Sequence, residues 1–294
     1  MMIGVNQSDL LMLKEADLNT VCEGIAEFGF SSVRFAVDWG LWTNLFGMMN
    51  YAPAKRVAKV LAAHGLSPMP ILGVHKPWFG GVGSFETFVS KCIDIFGDCP
   101  FYEVWNEPNL PAFQIGGPAT YLKYLRAATP KIRSVGAQVI SAGLAAYPDS
   151  VGFLGQTYSA TTWYAKMLSA GESNDFDMFG YHPYSFTDGL IPQWVDPHTN
   201  PFGVAQLSKL SASMNNNGDN RPIAITELGF DTNSVNYQNA SYWLGKQLDS
   251  MRDMNIWLFT WRDSLSRDGG NYGLVSSRNK PKGLYYDAVS GMIK

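Results

Sequence analysis

Charge is sparse in this sequence. Only 16% of its 294 residues are Asp, Glu, Lys or Arg, and the net charge is −3. The 22 basic residues are scattered without runs. No basic stripe is available to hold a phosphate backbone, so nucleic acid is not expected as a partner. The mild acidity gives no attraction to an anionic membrane surface either. Long apolar runs are also missing: no stretch of eighteen apolar residues occurs, and no membrane span is expected. The opening residues, Met1 to Gln7, show no charged and apolar leader and run straight into strand-like sequence.

Metal-binding and redox patterns are equally thin. Cys22, Cys92 and Cys99 form neither a ligand spacing nor an even disulfide framework. Buried free thiols are the expected state, with a Cys92–Cys99 bridge as the alternative. The four histidines, His64, His75, His182 and His198, lie far apart, so no metal and no other cofactor is expected. No glycine-rich turn follows the first strand-like run, where Val5-Asn-Gln-Ser-Asp9 stands, which argues against a dinucleotide site. Gly269-Gly-Asn-Tyr-Gly273 comes late, with only diffuse basic residues near it, for a barrel phosphate site.

What the chain does have is apolar and aromatic sequence, 46% and 14% of its residues, enough for one α/β barrel or two smaller domains. Eight strand-like runs recur: Met2–Val5, Ser32–Val37, Pro68–Val74, Phe101–Trp105, Gln138–Ala142, Phe176–Tyr181, Pro222–Thr226 and Asn255–Thr260. Helical patterns alternate with them, and Gly65, Gly97, Gly136 and Gly171 follow four of the helices as left-handed caps. The runs are apolar at nearly every position, as in parallel strands covered on both faces. Eight strand–helix units predict a single (β/α)8 TIM barrel, one catalytic domain over residues 1–294, with its chemistry at the C-terminal strand ends.

Polar groups gather there. The second run leads into Arg34-Phe-Ala-Val-Asp-Trp39, the third into Val74-His-Lys-Pro-Trp78 and the fourth into Trp105-Asn-Glu-Pro-Asn109. The sixth leads into Gly180-Tyr-His-Pro-Tyr184, the seventh into Thr226-Glu-Leu-Gly229 and the eighth into Thr260-Trp-Arg-Asp263. Buried ionisable groups are costly unless paired, so the clustering points to a site. Two acids, Glu107 and Glu227, at two strand mouths are what glycoside hydrolysis needs.

These motifs, in this order along all eight strands, resemble clan A of the glycoside hydrolases, retaining (β/α)8 enzymes. Trp105-Asn-Glu-Pro-Asn109 together with Phe176-Asp-Met-Phe-Gly-Tyr-His-Pro-Tyr184 is most similar to family 39 of that clan. The resemblance implies that Glu107 is the acid/base and Glu227 the nucleophile, with Asn106 on the sugar 2-hydroxyl and His182 on substrate or the acids. A retaining pair stands about 5–5.5 Å apart. Tyr184, or failing that Tyr181, is expected to donate to Glu227, and Arg34 to favour its charged form. Trp261 is expected as the apolar floor under the cleaved sugar. His75, Trp78 and Phe79 are candidates for one side of the substrate, Trp39, Trp42 and Trp194 for stacking, and Asp38 and Asp263 for accepting hydroxyls.

The expected activity is therefore metal-independent, endo-acting hydrolysis of an oligosaccharide or polysaccharide. An exo-acting β-xylosidase-like enzyme and a transglycosylase share the same acids. A non-catalytic carbohydrate-binding or adhesion barrel would have no need to keep both. Such a substrate suggests an extracellular, periplasmic or virion-associated setting, and a monomer is compatible with the pattern.

Overall fold

The computed structural model describes residues 2–44, 46–97, 99–113, 115–153, 155–184, 202–263 and 270–293. Trp194, His198 and Gly269 lie outside the described residues.

Eight parallel strands close into a barrel: β1 (Ile3–Asn6), β2 (Ser32–Asp38), β3 (Ser67–Gly73), β4 (Phe101–Asn106), β5 (Gln138–Ala145), β6 (Phe179–His182), β7 (Ile223–Leu228) and β8 (Ile256–Leu258). β1 closes the ring by pairing with both β2, Val5 opposite Val33, and β8, Gly4 opposite Trp257. Each strand is followed by a helix: α1 (Glu15–Phe28), α2 (Ala52–Ala63), α3 (Val82–Phe96), α4 (Pro118–Arg133), α5 (Ala160–Ser169), α6 (Phe202–Asn216), α7 (Tyr237–Ser250) and α8 (Gly283–Ile293). Local chemistry sets several boundaries. Ser159 and Asn236 cap α5 and α7 by accepting from Thr162 N and Asn239 N, and Gly29 ends α1 with φ of 113°.

The expected barrel is thus observed, with local differences: the fifth strand runs on to Ala145 rather than ending at Ala142, and the eighth ends at Leu258 rather than Thr260. The sixth strand starts at Phe179 rather than Phe176: Asp177 N and Met178 N both donate to Val139 O, which leaves Met178 with a single isolated bridge to Ile140 before the ladder begins. A short antiparallel hairpin, Ser150–Gly152 with Gly155–Thr157, was not expected and stands in the loop after β5. Cys22, Cys92 and Cys99 are buried and form no disulfide with one another.

The barrel interior is layered by the two-residue period of its strands. The lower layer is apolar: Met69, Phe101, Ile140, Met178, Ala224 and Trp257 form one buried cluster. Gly4 belongs here, because a side chain on it would strike the Trp257 indole. Two residues further along the strands the same face turns polar, at Asn6, Arg34, Glu103 and Thr226, all wholly buried. That polar layer carries the site.

Candidate active site

Arg34 organises the upper barrel. Its Nε donates to Glu103 Oε2, its Nη1 to Asn6 Oδ1 and Glu227 Oε1, each at 2.7 Å, and its Nη2 to Asn106 Oδ1 at 2.9 Å. Three strands, β1, β4 and β7, are therefore fixed to one guanidinium standing on β2. Burial by itself would weaken the Arg34 charge, but the facing carboxylates Glu103 and Glu227 outweigh it and hold the group firmly protonated.

Glu227 is held from two other directions. Tyr184 donates its hydroxyl to Oε2 at 3.0 Å, and His182 Nδ1 lies 3.8 Å from the same oxygen. Burial pushes the carboxyl upward; the charges of His182 and Arg34, with the Arg34 and Tyr184 hydrogen bonds, more than reverse it. Glu227 consequently binds its proton more weakly than an ordinary carboxylate and is ionised at neutral pH.

Glu107 sits where β4 gives way to its loop. Its backbone takes φ of 42°, and its N–H donates to Gly143 O at 3.0 Å. This places Oε1 2.8 Å from His182 Nδ1. The other ring nitrogen, Nε2, lies 2.9 Å from Thr226 Oγ1, whose own proton goes to Glu103 Oε1 at 3.1 Å. A hydroxyl that donates to a carboxylate must accept from the imidazole, so Nε2 carries a proton. Nδ1 is then free to donate to an ionised Glu107 or accept from a protonated one. Burial opposes charge on His182, but Glu227 and Glu107 overcome it and raise its proton affinity above the ordinary imidazole value. Gly143 makes room for all of this: a Cβ there would collide with His182 Nε2, Thr226 Oγ1 and Glu103.

One oxygen each of Glu107 and Glu227 and one ring nitrogen of His182 lie within 4.8 Å of one another, close enough to ligate a cation. The position already faces the Arg34 guanidinium, 2.7 Å from Glu227 Oε1, so a divalent ion would meet a buried positive neighbour.

Arg34, Asn106, Glu107, His182, Tyr184 and Glu227 are thus brought together. Other expected residues are not. Trp261 is only 4% exposed and packs outside the barrel, against Phe28 at 5.6 Å and Tyr286 at 6.4 Å. The reason is that β8 ends at Leu258, after which the chain turns outward and Val275 N donates to Trp261 O. Phe259, two positions earlier, stays at the mouth. Its ring is 5.3 Å from Tyr272, which is 6.4 Å from Tyr184, so these three rings form the apolar side of the site.

Trp39 is buried, stacked on Phe88 at 6.0 Å and tilted on Phe85 at 5.2 Å, so it is a packed wall rather than a free platform. Trp42 is half-buried. Tyr181 turns away from Glu227 and donates to Gly203 O at 2.9 Å. Asp263 is spent on Lys282, 2.8 Å away, and on Gly273 N. Asp38 is spent on His75, 2.7 Å away, and on Leu41 N. His75 is half-exposed beside the mouth, while Trp78 and Phe79 project into solvent.

Sequence reasoning missed Glu103, Thr226 and Phe259. The signal for Glu103 was a lone charge in the apolar run Phe101-Tyr-Glu-Val-Trp105, two residues before its end.

Comparisons with known proteins bear on the family and the fold. The chain matches the family model for cellulase, glycosyl hydrolase family 5, over residues 2–264. No curated protein matches it by sequence. Among solved structures it is similar to an exo-β-1,4-mannosidase from Opitutaceae bacterium strain TAV5, at 18% identity and a TM-score of 0.70. That match covers 99% of this chain but 59% of the other, so the chain spans well under two thirds of that protein. It is also similar to endoglucanase Cel5A from the hyperthermophilic Thermotoga maritima, at 18% identity and a TM-score of 0.65, covering 98% and 96% of the two chains. The endo-1,4-β-mannanase from Rhizomucor miehei aligns at 12% identity with a TM-score of 0.64, covering 99% and 94%.

At such identities these structures speak for the fold. The match over residues 2–264 overturns the expected assignment to family 39. The motifs behind that expectation are confined to the C-terminal strand ends, whereas the match runs along nearly the whole barrel. Matched along nearly all of its barrel, the chain belongs to glycosyl hydrolase family 5, the cellulase family, and is a glycoside hydrolase.

Proposed function

We propose that the enzyme cleaves a polysaccharide internally by double displacement, with Glu227 as nucleophile and Glu107 as acid/base. The observation that carries this reading is the unequal environment of two close carboxylates. Glu227 is held ionised by Arg34, Tyr184 and His182, whereas the Glu107 carboxyl bonds an imidazole that can accept or donate a proton. One oxygen of each lies within 4.8 Å of the other, which favours the retaining spacing of about 5–5.5 Å over the spacing of about 6.5–9.5 Å in an inverting pair.

In the first step Glu227 attacks the anomeric carbon while Glu107 gives its proton to the departing oxygen. In the second, Glu107 takes a proton from water, which displaces the sugar from Glu227. His182 follows these changes without moving, since Nδ1 serves either protonation state of Glu107. Asn106 has its amide oxygen occupied by Arg34, so its NH2 group is left for the sugar 2-hydroxyl, a contact that strengthens towards the transition state. Phe259 and Tyr272 give the ring an apolar side to rest on. The open, aromatic rim at Trp78 and Phe79 favours internal attack on a long chain.

The test is proton NMR of the first product released from a defined β-linked oligosaccharide. The β-anomer is expected before mutarotation. Initial release of the α-anomer would overturn the double displacement.

A further inference from the structure

Tyr272, on the apolar side of the site, is gripped from both flanks. Before it, the Asn271 carbonyl accepts from Lys282 Nζ at 2.8 Å, from Thr232 Oγ1 at 2.6 Å and from Thr232 N at 3.0 Å. Asn271 N in turn donates to Asp231 Oδ1 at 3.2 Å. After it, Gly273 N donates to Asp263 Oδ1 at 2.8 Å, and the same oxygen takes Lys282 Nζ at 2.8 Å. One ammonium therefore joins the residues on either side of Tyr272, directly to Asn271 and through Asp263 to Gly273. The clamp has little give. Lys282 and Asp263 are each only 6% exposed, and Lys282 N donates to Leu274 O at 3.0 Å. A side chain at Gly273 would strike Asp263 N and Val275 O, and one at Gly270 would strike the Tyr272 ring.

Stability does not explain this pair. Burial lowers the proton affinity of Lys282 below that of an ordinary lysine, and the Asp263 bond with the Asp263 and Asp231 charges only limits the drop. Apolar side chains of the same volume commonly match a buried ion pair in stability. What the pair adds is direction. Its charge-assisted bonds fix the backbone from Asn271 to Gly273, and with it the point where the Tyr272 ring leaves the chain. That point matters to the chemistry: the ring lies 5.3 Å from Phe259 and 6.4 Å from Tyr184, whose hydroxyl donates to Glu227 at 3.0 Å.

We propose that Lys282, with Asp263, is a positioning residue for the glycosidase site. The pair holds the Tyr272 ring against Phe259 and Tyr184, so that the wall beside the cleaved sugar is set before substrate arrives. Both residues act through Tyr272. This rests on the double-displacement reading above and adds what keeps the apolar side of the site in place.

The experiment is a kinetic mutant cycle on an oligosaccharide prepared from whichever of β-glucan, β-mannan and β-xylan the wild type degrades. Active sites are counted by labelling with a 2-fluoro glycoside, and every variant is assayed well below its measured Tm. The clamp is removed by Lys282→Met combined with Asp263→Asn, which leaves no lone buried ion and keeps an acceptor for Gly273 N. This exchange should raise KM roughly 10-fold, with kcat changed by less than about 3-fold. Tyr272→Ala should raise KM at least as far. Adding the exchange to Tyr272→Ala should then change KM by less than about 2-fold, since the clamp has no ring left to hold. Lys282→Gln, a milder change, is carried through the same cycle with the same expected pattern, and decides the matter if the double exchange does not fold. An unchanged KM, a fall in kcat alone, or losses that add to those of Tyr272→Ala would overturn the inference and leave the pair as part of the fold. A wild type that degrades no glycan and takes no label contradicts the glycosidase reading itself, and the positioning role falls with it. Label with additive kinetics sinks only the role of Lys282.

Discussion

Glu103 and Glu227 share one guanidinium. Arg34 gives Nε to the first and Nη1 to the second, and Glu103 is wholly buried where no substrate reaches. In the proposed double displacement, Arg34 keeps Glu103 as a partner when Glu227 spends its charge in bonding to a sugar. Removing Arg34, as in Arg34→Met, leaves Glu103 buried without its counter-charge and Glu227 with His182 alone, and a broken buried pair costs about 3–5 kcal/mol. Denaturant unfolding at pH 7 should show that loss. The Glu227 proton affinity is lowered from the ordinary 4.5, so its stabilisation is present above that value and fades as pH falls through the lower folded value. The gap between wild type and variant should therefore narrow at acid pH, and the acid limb of kcat/KM in the variant should move to higher pH.

His182 predicts the opposite limb. Burial disfavours its charge, but Glu227 and Glu107 raise its proton affinity above the ordinary 6.5. A raised folded value contributes stability that is complete below 6.5 and lost as pH rises through the folded value. Calorimetry from pH 6 to 9 should show Tm falling more steeply in wild type than in His182→Gln. Parallel slopes would mean that His182 is neutral throughout.

Thr226 is placed to fix the His182 tautomer, since its hydroxyl accepts from Nε2 and donates to Glu103. Thr226→Val keeps the shape and removes both bonds, leaving buried groups unsatisfied at a cost of about 1–3 kcal/mol each. The expected result is a kcat reduced by roughly 10- to 100-fold with a displaced alkaline limb. Thr226→Ser should restore the limb; a pH profile unchanged in Thr226→Val would remove the tautomer argument.

Trp261 and Phe259 should separate stability from substrate contact. Trp261→Ala empties a packed site against Phe28 and Tyr286, a loss of about 3–5 kcal/mol, with KM unchanged. Phe259→Ala, at the half-buried mouth, should raise KM with a smaller effect on stability. Thermal unfolding and steady-state kinetics on the same pair of variants check both halves.

Much of the barrel was legible because parallel strands covered on both faces read as unbroken apolar runs, such as Ile223-Ala-Ile225. The same feature hid Glu103. In a continuous apolar run nothing marks which positions face inward, so one charge among Tyr102, Val104 and Trp105 gives no sign of its direction. Glu107 and Glu227 were readable as acids at strand ends. Phe259 was not, because strand ends are the least readable boundaries and a two-residue offset exchanged it for Trp261, which the outward turn carries into the helical layer. Trp39 illustrates a different limit: an aromatic just past a strand looks the same in sequence whether it stacks on a ligand or on Phe88. The family, too, is written along the whole barrel rather than at its mouth.

The division of labour between the two glutamates is the central claim, and trapping the covalent intermediate tests it most directly. The enzyme is incubated with an activated 2-fluoro glycoside, digested, and its peptides are read by mass spectrometry. A single label on Glu227, absent from Glu227→Gln and still formed by Glu107→Gln, is the expected result. Label on Glu107, or on any other side chain, would contradict the account.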